Sequence, residues 1–137
     1  FARAGISWGY KDSCFDYYWS EMARIGVCRG AYHYLYPSQS STRQMDFFLS
    51  IVNPRTEHDR LALDLETTQG LSRAYLTDFI NDCLEYVKQE TGRYPILYSR
   101  KSWLDPNVTT FALPGNLAIA PLRVLSRSHH IAPCRHG

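Results

Sequence analysis

The 137-residue sequence has little net charge, and it lacks a long apolar segment. A formal net charge of +2 is too small to indicate nucleic-acid binding, and no basic cluster interleaves with aromatic residues before residue 100. The longest apolar runs are shorter than the about 20 residues that a membrane-spanning helix needs. No signal-peptide pattern or initiator methionine precedes Phe1, so we expect an internal piece of a longer protein.

The sequence also lacks the common motifs for metals and cofactors. Its four cysteines contain no C-x-x-C pair, which disfavours zinc or redox chemistry. Their wide spacing gives no disulfide framework, so disulfides and buried free thiols both stay open. No glycine-rich phosphate loop follows the first strand, which disfavours nucleotide binding. We therefore expect neither a cofactor nor a bound metal.

Acidic residues are missing from the last part of the chain. All thirteen lie at or before Asp105, and residues 114–137 carry arginines and histidines instead. Such a shift in composition is a boundary signal. We predict a domain over residues 1–115 and a basic segment over 116–137. A tail, a surface arm and the product of a reading-frame change are the alternatives for this segment, and we favour the last.

Strand and helix patterns alternate along the chain, and aromatic residues are abundant, with ten tyrosines and three tryptophans. Strands are predicted at Phe1–Ala4, Arg29–Leu35, Leu61–Leu65, Pro95–Ser99 and Asn116–Ala120, and helices at Tyr17–Ile25, from Ser38 to Asn53, and from Leu71 to about Thr91. Parallel strands need such crossover helices, so an α/β fold follows, as either an open doubly wound sheet or a barrel. In both, an active site forms at the carboxyl ends of the strands.

Two acids stand at the end of a buried strand pattern. Asp64 and Glu66 share one face of the strand, with their Cα atoms roughly 7 Å apart. Paired carboxyl groups are the residues that glycoside hydrolysis uses. We expect apolar surroundings to raise the pKa of Glu66, as a general acid needs, and hydrogen bonds to keep Asp64 ionised. A structural pair with Arg60, Arg100 or another base has about equal weight.

The remaining candidate residues give weaker signals. His33 lies in an aromatic strand, where a hydrogen-bonded structural histidine is more frequent than a metal ligand. The histidines near the carboxyl end have no nearby carboxylate or paired cysteine that would complete a metal site. Ser7 and Ser99 have no partner pattern for a nucleophilic triad.

Three segments in order resemble the glycoside hydrolase family 25 muramidases, the Chalaropsis-type lysozymes. They are Gly30-Ala31-Tyr32-His33-Tyr34, Leu63-Asp64-Leu65-Glu66 and Pro95-Ile96-Leu97-Tyr98-Ser99. The resemblance extends over residues 1 to 105, with Phe1–Ala4 similar to the second barrel strand of the family. It implies a TIM-like (β/α) barrel, here a partial barrel without the first strand and the last strands, since a closed barrel needs about 200 residues or more.

The resemblance also implies a reaction. Family members cleave the β-1,4 bond between N-acetylmuramic acid and N-acetylglucosamine in bacterial peptidoglycan, with retention and without a metal. By position, Glu66 matches the catalytic acid and Asp64 the supporting carboxylate. Tyr34, Tyr98 and Tyr32 would line the sugar cleft. We expect a monomer that is secreted or released at host lysis, with weak or absent activity from this chain alone.

Two other functions stay open at this point. A non-catalytic glycan-binding fragment would keep the aromatic cleft and bind peptidoglycan without cleaving it. A metal-dependent hydrolase would use Asp64 and Glu66 as ligands, and ranks third.

Overall fold

The computed structural model describes residues 1–100 and the strand at 119–121. Within these residues, strands and helices alternate as the sequence predicts. The strands are β1 (Ala2–Ile6), β2 (Tyr10–Lys11), β3 (Gly30–Tyr34), β4 (Arg60–Leu65), β5 (Ile96–Ser99) and β6 (Ile119–Pro121), and the helices are α1 (Phe15–Arg24), α2 (Ser41–Ile51) and α3 (Arg73–Thr91). The predicted last strand overlaps β6, and the predicted boundary at residue 116 lies outside the described residues.

The strands form one sheet in the order β2-β1-β3-β4-β5-β6. From β1 to β6 every neighbouring pair is parallel, and the chain advances across the sheet in one direction. Because crossovers between parallel strands are right-handed, this order places α1, α2 and α3 on the same face. A doubly wound sheet would reverse direction and carry helices on both faces. The order is therefore that of a barrel, with one face free for a site.

The hydrophobic core lies between this sheet and its helices. It combines strand residues such as Leu63 and Leu65 with helix residues such as Phe48, Ile80 and Leu84, all of them almost fully buried. Side chains of a strand alternate between faces, so these leucines direct their neighbours Ala62 and Asp64 to the opposite face. Packing of the helices thus determines which side of β4 carries the acid.

A short hairpin lies between β1 and α1. β2 pairs antiparallel with the end of β1, with Gly5 opposite Lys11 and Ile6 opposite Tyr10. An irregularity between Arg3 and Gly5 bends β1 at the start of this hairpin. A Cβ atom on Gly5 would lie 2.4 Å from the backbone oxygen of Tyr10, so only glycine fits there.

Glycines follow two of the helices. Gly26, after α1, and Gly92, after α3, both have a positive φ, which other residues adopt at a cost. Helix α1 begins at Phe15, two residues before the predicted start, with Cys14 at the cap position and no side-chain capping hydrogen bond. None of the described helices is long and apolar enough to cross a membrane.

Candidate active site

The two predicted acids lie at the carboxyl end of β4, on the face of the sheet opposite the helices. Asp64 is the fifth residue of that strand and is only 5% exposed, and Glu66 follows the strand end and is half-buried. A cavity of about 470 Å³ opens over both. Its lining consists of Phe1, Tyr32, Ala62, Asp64, Glu66, Ile96 and Tyr98.

Strand register places aromatic residues on both sides of Asp64. Tyr34 of β3 and Tyr98 of β5 are its cross-strand partners, and Ile6 of β1 pairs with Tyr34. Partners in register share a face and lie about 5 Å apart. One row of side chains, Ile6, Tyr34, Asp64 and Tyr98, therefore crosses four strands. Asp64 is buried because these larger neighbours flank it.

The protonation of the pair differs from the sequence prediction. Burial first, and then the neighbouring charge of Glu66 and the hydrogen bond between the two side chains, raise the pKa of Asp64 to about 8. The prediction that Asp64 stays ionised is therefore wrong. The described residues provide no hydrogen-bond partner for its buried Oδ1 atom, so nothing compensates the ionised form. Asp64 therefore keeps its proton at neutral pH, and it is joined to Glu66 by a hydrogen bond.

The three predicted cleft tyrosines lie around this pair in two different ways. Tyr32 and Tyr98 line the cavity. Tyr34 lies beside Asp64 in the cross-strand row and is not part of the cavity lining. Burial raises the pKa of each tyrosine, and the charges of Asp64 and Glu66 raise it further. These hydroxyl groups therefore stay protonated at neutral pH and can donate hydrogen bonds to a ligand.

The structural alternative for the acids, a pair with Arg60, does not form. Arg60 is at the other end of β4, where its Nη1 atom donates to the backbone carbonyl of His58 at 2.8 Å. That end has a larger cavity of about 600 Å³, whose charged lining includes Arg55, Glu57 and Glu90. It lies at the amino ends of β4 and β5, away from Asp64 and Glu66.

His33 has the structural role that the sequence predicts. It is fully buried, it stacks on Phe48 with ring centroids 5.0 Å apart, and its Nε2 atom lies 2.6 Å from the carbonyl oxygen of Ser7. Burial lowers the pKa of His33 to about 4. The ring is therefore neutral at pH 7, with its proton on Nε2 donated to Ser7.

Sequence reasoning missed several residues near the site. Ala62 and Ile96 line the cavity, and their spacing of two from Asp64 and Tyr98 would have indicated this. Gln44 of α2 is fully buried and bonded to the loop after β3, a role that no local pattern indicates. Arg3 shares the face of Tyr32 and donates from Nε to Asp12 Oδ2 at 2.8 Å.

Other chemistry of the described residues is limited. No group of three or more His, Cys, Asp or Glu side chains within residues 1–100 could hold a metal ion. Ser99 is buried and donates to the carbonyl of Leu65 at 2.6 Å. Cys28 is an exposed free thiol and Cys83 is a buried one, so neither of these two cysteines forms a disulfide.

Comparison with known proteins agrees with this architecture. The chain is 31% identical over 134 residues to lysozyme M1 of Streptomyces globisporus, covering 90% of this chain and 45% of that protein. The lysozyme structure from Streptomyces coelicolor superposes with a TM-score of 0.67 at 30% identity, covering 77% of this chain and 54% of that one. The family 25 lysozyme structure from Aspergillus fumigatus gives a TM-score of 0.70 at 25% identity, with 77% and 56% covered.

Coverage is partial on the side of the relatives. The chain spans between 37% and 52% of the length of the curated relatives it matches. The described sheet matches part of the TIM-like barrel of the solved family structures. Residues 1–122 match the sequence model of the family described as Glycosyl hydrolases family 25. The chain therefore belongs to glycosyl hydrolase family 25, a family of lysozymes and muramidases.

Proposed function

We propose that this protein hydrolyses the β-1,4 bond between N-acetylmuramic acid and N-acetylglucosamine in bacterial peptidoglycan. The observation that carries the proposal is the hydrogen-bonded pair Asp64–Glu66, which keeps one proton beside an aromatic-lined cavity. A general acid needs a proton at neutral pH, and sugar rings suit aromatic walls with hydroxyl donors. Family membership supports the reaction class, and similar proteins carry the names lysozyme and N,O-diacetylmuramidase.

Glu66 is the proposed proton donor, because it is the less buried member of the pair. It follows the carboxyl end of β4 and lines the cavity. The proton that Asp64 holds passes along the hydrogen bond to Glu66, which gives it to the glycosidic oxygen as the bond to the anomeric carbon breaks. Water then adds to that carbon and returns a proton to the pair. The hydrogen bond to Asp64 connects Glu66 to the proton that the deeper carboxyl group keeps. Tyr32 and Tyr98 hold the sugar rings against the cavity wall.

Asp64 has a supporting role in this proposal. A carboxylate that attacks the anomeric carbon stands about 5 Å from the acid, across the bond to be broken. Two carboxyl groups joined by a hydrogen bond are closer than this and lie on one side of the substrate. Asp64 is therefore better placed to orient the acetamido group of the sugar, or to stabilise positive charge at the anomeric carbon, than to act as the nucleophile.

The proposed place of action follows from the substrate. Peptidoglycan lies outside the cytoplasmic membrane, so we propose that the protein works there as a monomer, after secretion or after lysis of the host cell. Size-exclusion chromatography tests the oligomeric state.

Release of reducing ends from bacterial walls tests the activity. We expect Glu66→Gln to lower the rate at least about a hundredfold, because it removes the general acid. Glu57→Gln is the matched control, since Glu57 is exposed at the opposite end of β4 and should change nothing.

Three results would contradict the proposal. One is equal wall clearance by the unchanged chain and Glu66→Gln. Another is tight retention on insoluble peptidoglycan with no reducing ends released by either, which would favour the binding fragment. The third is loss of clearance with a chelator, which would instead favour the metal-dependent hydrolase.

A further inference from the structure

We infer that a second carbohydrate contact, which we call the aromatic ledge, lies beside the carboxyl pair and binds further sugar residues of the same glycan. The ledge consists of Trp8, Tyr10, Tyr36 and Gln39. The inference rests on the proposed function for the identity of the glycan. The ledge itself is a different surface from the cavity over Asp64 and Glu66.

The ledge surrounds an open cavity of about 440 Å³. Its three rings are unusually exposed for their size, at 41% for Trp8, 50% for Tyr10 and 38% for Tyr36. Tyr10 and Tyr36 offer ring faces with a hydroxyl group at the edge, Trp8 offers the ring face that Arg43 does not cover, and Gln39 adds an amide to the lining. This mixture suits a pyranose ring, whose C–H face packs on aromatic rings while its hydroxyl groups need hydrogen-bond partners.

The ledge is continuous with the carboxyl pair. Ile6 lines the ledge cavity and belongs to the same cross-strand row as Tyr34 and Asp64. β1 lies two strands from β4, about 10 Å at the usual strand spacing. The rings of Tyr34 and Tyr36 meet edge to face with centroids 5.9 Å apart. A glycan of a few sugar residues would therefore extend from one surface to the other.

Hydrogen bonds connect the loops between the two surfaces. Trp8 Nε1 donates to Gln39 Oε1 at 3.3 Å, within the loop after β3. In the same loop, the backbone N–H of Ser38 donates to Gln69 Oε1 at 2.8 Å, in the loop that follows Glu66. The rim from Trp8 to Glu66 is thus one connected surface.

Buried polar side chains hold the ledge in place. His33 donates to the carbonyl of Ser7, a non-glycine residue with φ of 53° immediately before Trp8. Gln44 accepts from the backbone N–H of Tyr36 and donates to its carbonyl, both at 2.9 Å. Burying polar groups is unfavourable unless their hydrogen bonds are made, and loops fixed in this way lose little entropy on binding a ligand.

Arg43 orients the Trp8 ring. Its guanidinium group lies over the indole, 3.9 Å from the ring centroid. One ring face is therefore occupied by a cation, and the indole N–H is directed to Gln39. A ring fixed on two sides is suited to stack with one planar partner rather than to enter an apolar interface with another protein.

Binding of a β-1,4-linked N-acetylglucosamine hexamer to the full chain tests the ledge. The measurement is isothermal titration calorimetry in a Glu66→Gln background, so that no hydrolysis occurs. We expect Trp8→Ala and Tyr36→Ala each to weaken hexamer binding by about tenfold or more, the effect of losing an aromatic contact at a binding surface. Trp8→Phe keeps a ring and should retain most of the affinity. Tyr17→Ala is the control, because Tyr17 is as exposed but lies on α1.

The outcomes separate the ledge from the proposed function. Absence of hexamer binding, or equal affinity of the Trp8→Ala, Tyr36→Ala and Tyr17→Ala chains, would overturn the ledge. Hydrolysis is measured separately, as reducing ends released by the chain with an intact Glu66. A chain that loses hexamer binding with Trp8→Ala but releases no reducing ends would keep the ledge and refute the proposed hydrolysis.

Discussion

At the scale of the residue, Asp64 is an acid held where its ionised form is unfavourable. It is almost fully buried, with a carboxyl neighbour and a buried oxygen that no described residue satisfies. In the unfolded chain its pKa is near 3.8, and in the folded chain it is about 8. Because the folded-state pKa is the higher one, stability is fully present below pH 4 and decreases as the pH rises towards 8.

Replacement of this carboxyl group by a group that does not titrate should stabilise the protein at neutral pH. We expect Asp64→Asn to raise the free energy of unfolding at pH 7 by about 1–2 kcal/mol, a usual gain when a strained functional residue is replaced. Activity should decrease in the same variant. Urea denaturation at several pH values measures both the gain and the loss of pH dependence. An unchanged dependence between pH 6.5 and 8 would contradict this explanation.

At the scale of the element, α2 holds the loop after β3 through one side chain. Gln44 Oε1 accepts from the N–H of Tyr36, and its Nε2 atom donates to the carbonyls of Tyr36 and Gln39. Since the side chain is fully buried, water does not replace these bonds. The loop position therefore depends on the docking of a helix that follows it in the chain.

We expect Gln44→Leu to lower the free energy of unfolding by about 1–3 kcal/mol, because it leaves buried backbone groups without partners. The amide of Tyr36 should also lose protection from hydrogen exchange. Gln89→Leu is the control, since Gln89 is exposed on α3. Equal effects of both substitutions would show that the bonds of Gln44 contribute nothing.

At the scale of the whole molecule, two buried titrating groups act on stability in opposite directions. The pKa of His33 is about 4 in the folded chain and near 6.5 when unfolded. Because the folded-state pKa is the lower one, its contribution is present above pH 6.5 and is lost as the pH falls to 4. The loss amounts to about 3 kcal/mol. Asp64 changes stability the other way over pH 4 to 8.

We therefore expect the free energy of unfolding to be nearly constant from pH 4 to 6.5 and to decrease from pH 6.5 to 8. His33→Gln should remove the opposing contribution, so that stability decreases over the whole range from pH 4 to 8. His58→Gln is the control, because His58 is exposed. The same pH dependence of the free energy of unfolding in the unchanged chain and in His33→Gln would contradict this expectation.

Local sequence patterns predicted the main helices and strands because the signal for each lies within its own segment of the chain. Apolar spacing predicted α3, and period-two alternation predicted the shared face of Asp64 and Glu66. β2 was missed because two residues carry no period. The prediction that Asp64 stays ionised was wrong because the burial of Asp64 is determined by Tyr34 and Tyr98, on strands about 30 residues away in sequence.

The two-residue strand β2 also has a consequence for solubility. It pairs with the carboxyl half of β1, and both of its residues are exposed. One of them, Lys11, forms an ion pair with Asp16 at 2.7 Å. A short, charged edge is a poor template for pairing with another chain. The hairpin that presents Trp8 to a ligand therefore also protects this edge of the sheet against aggregation.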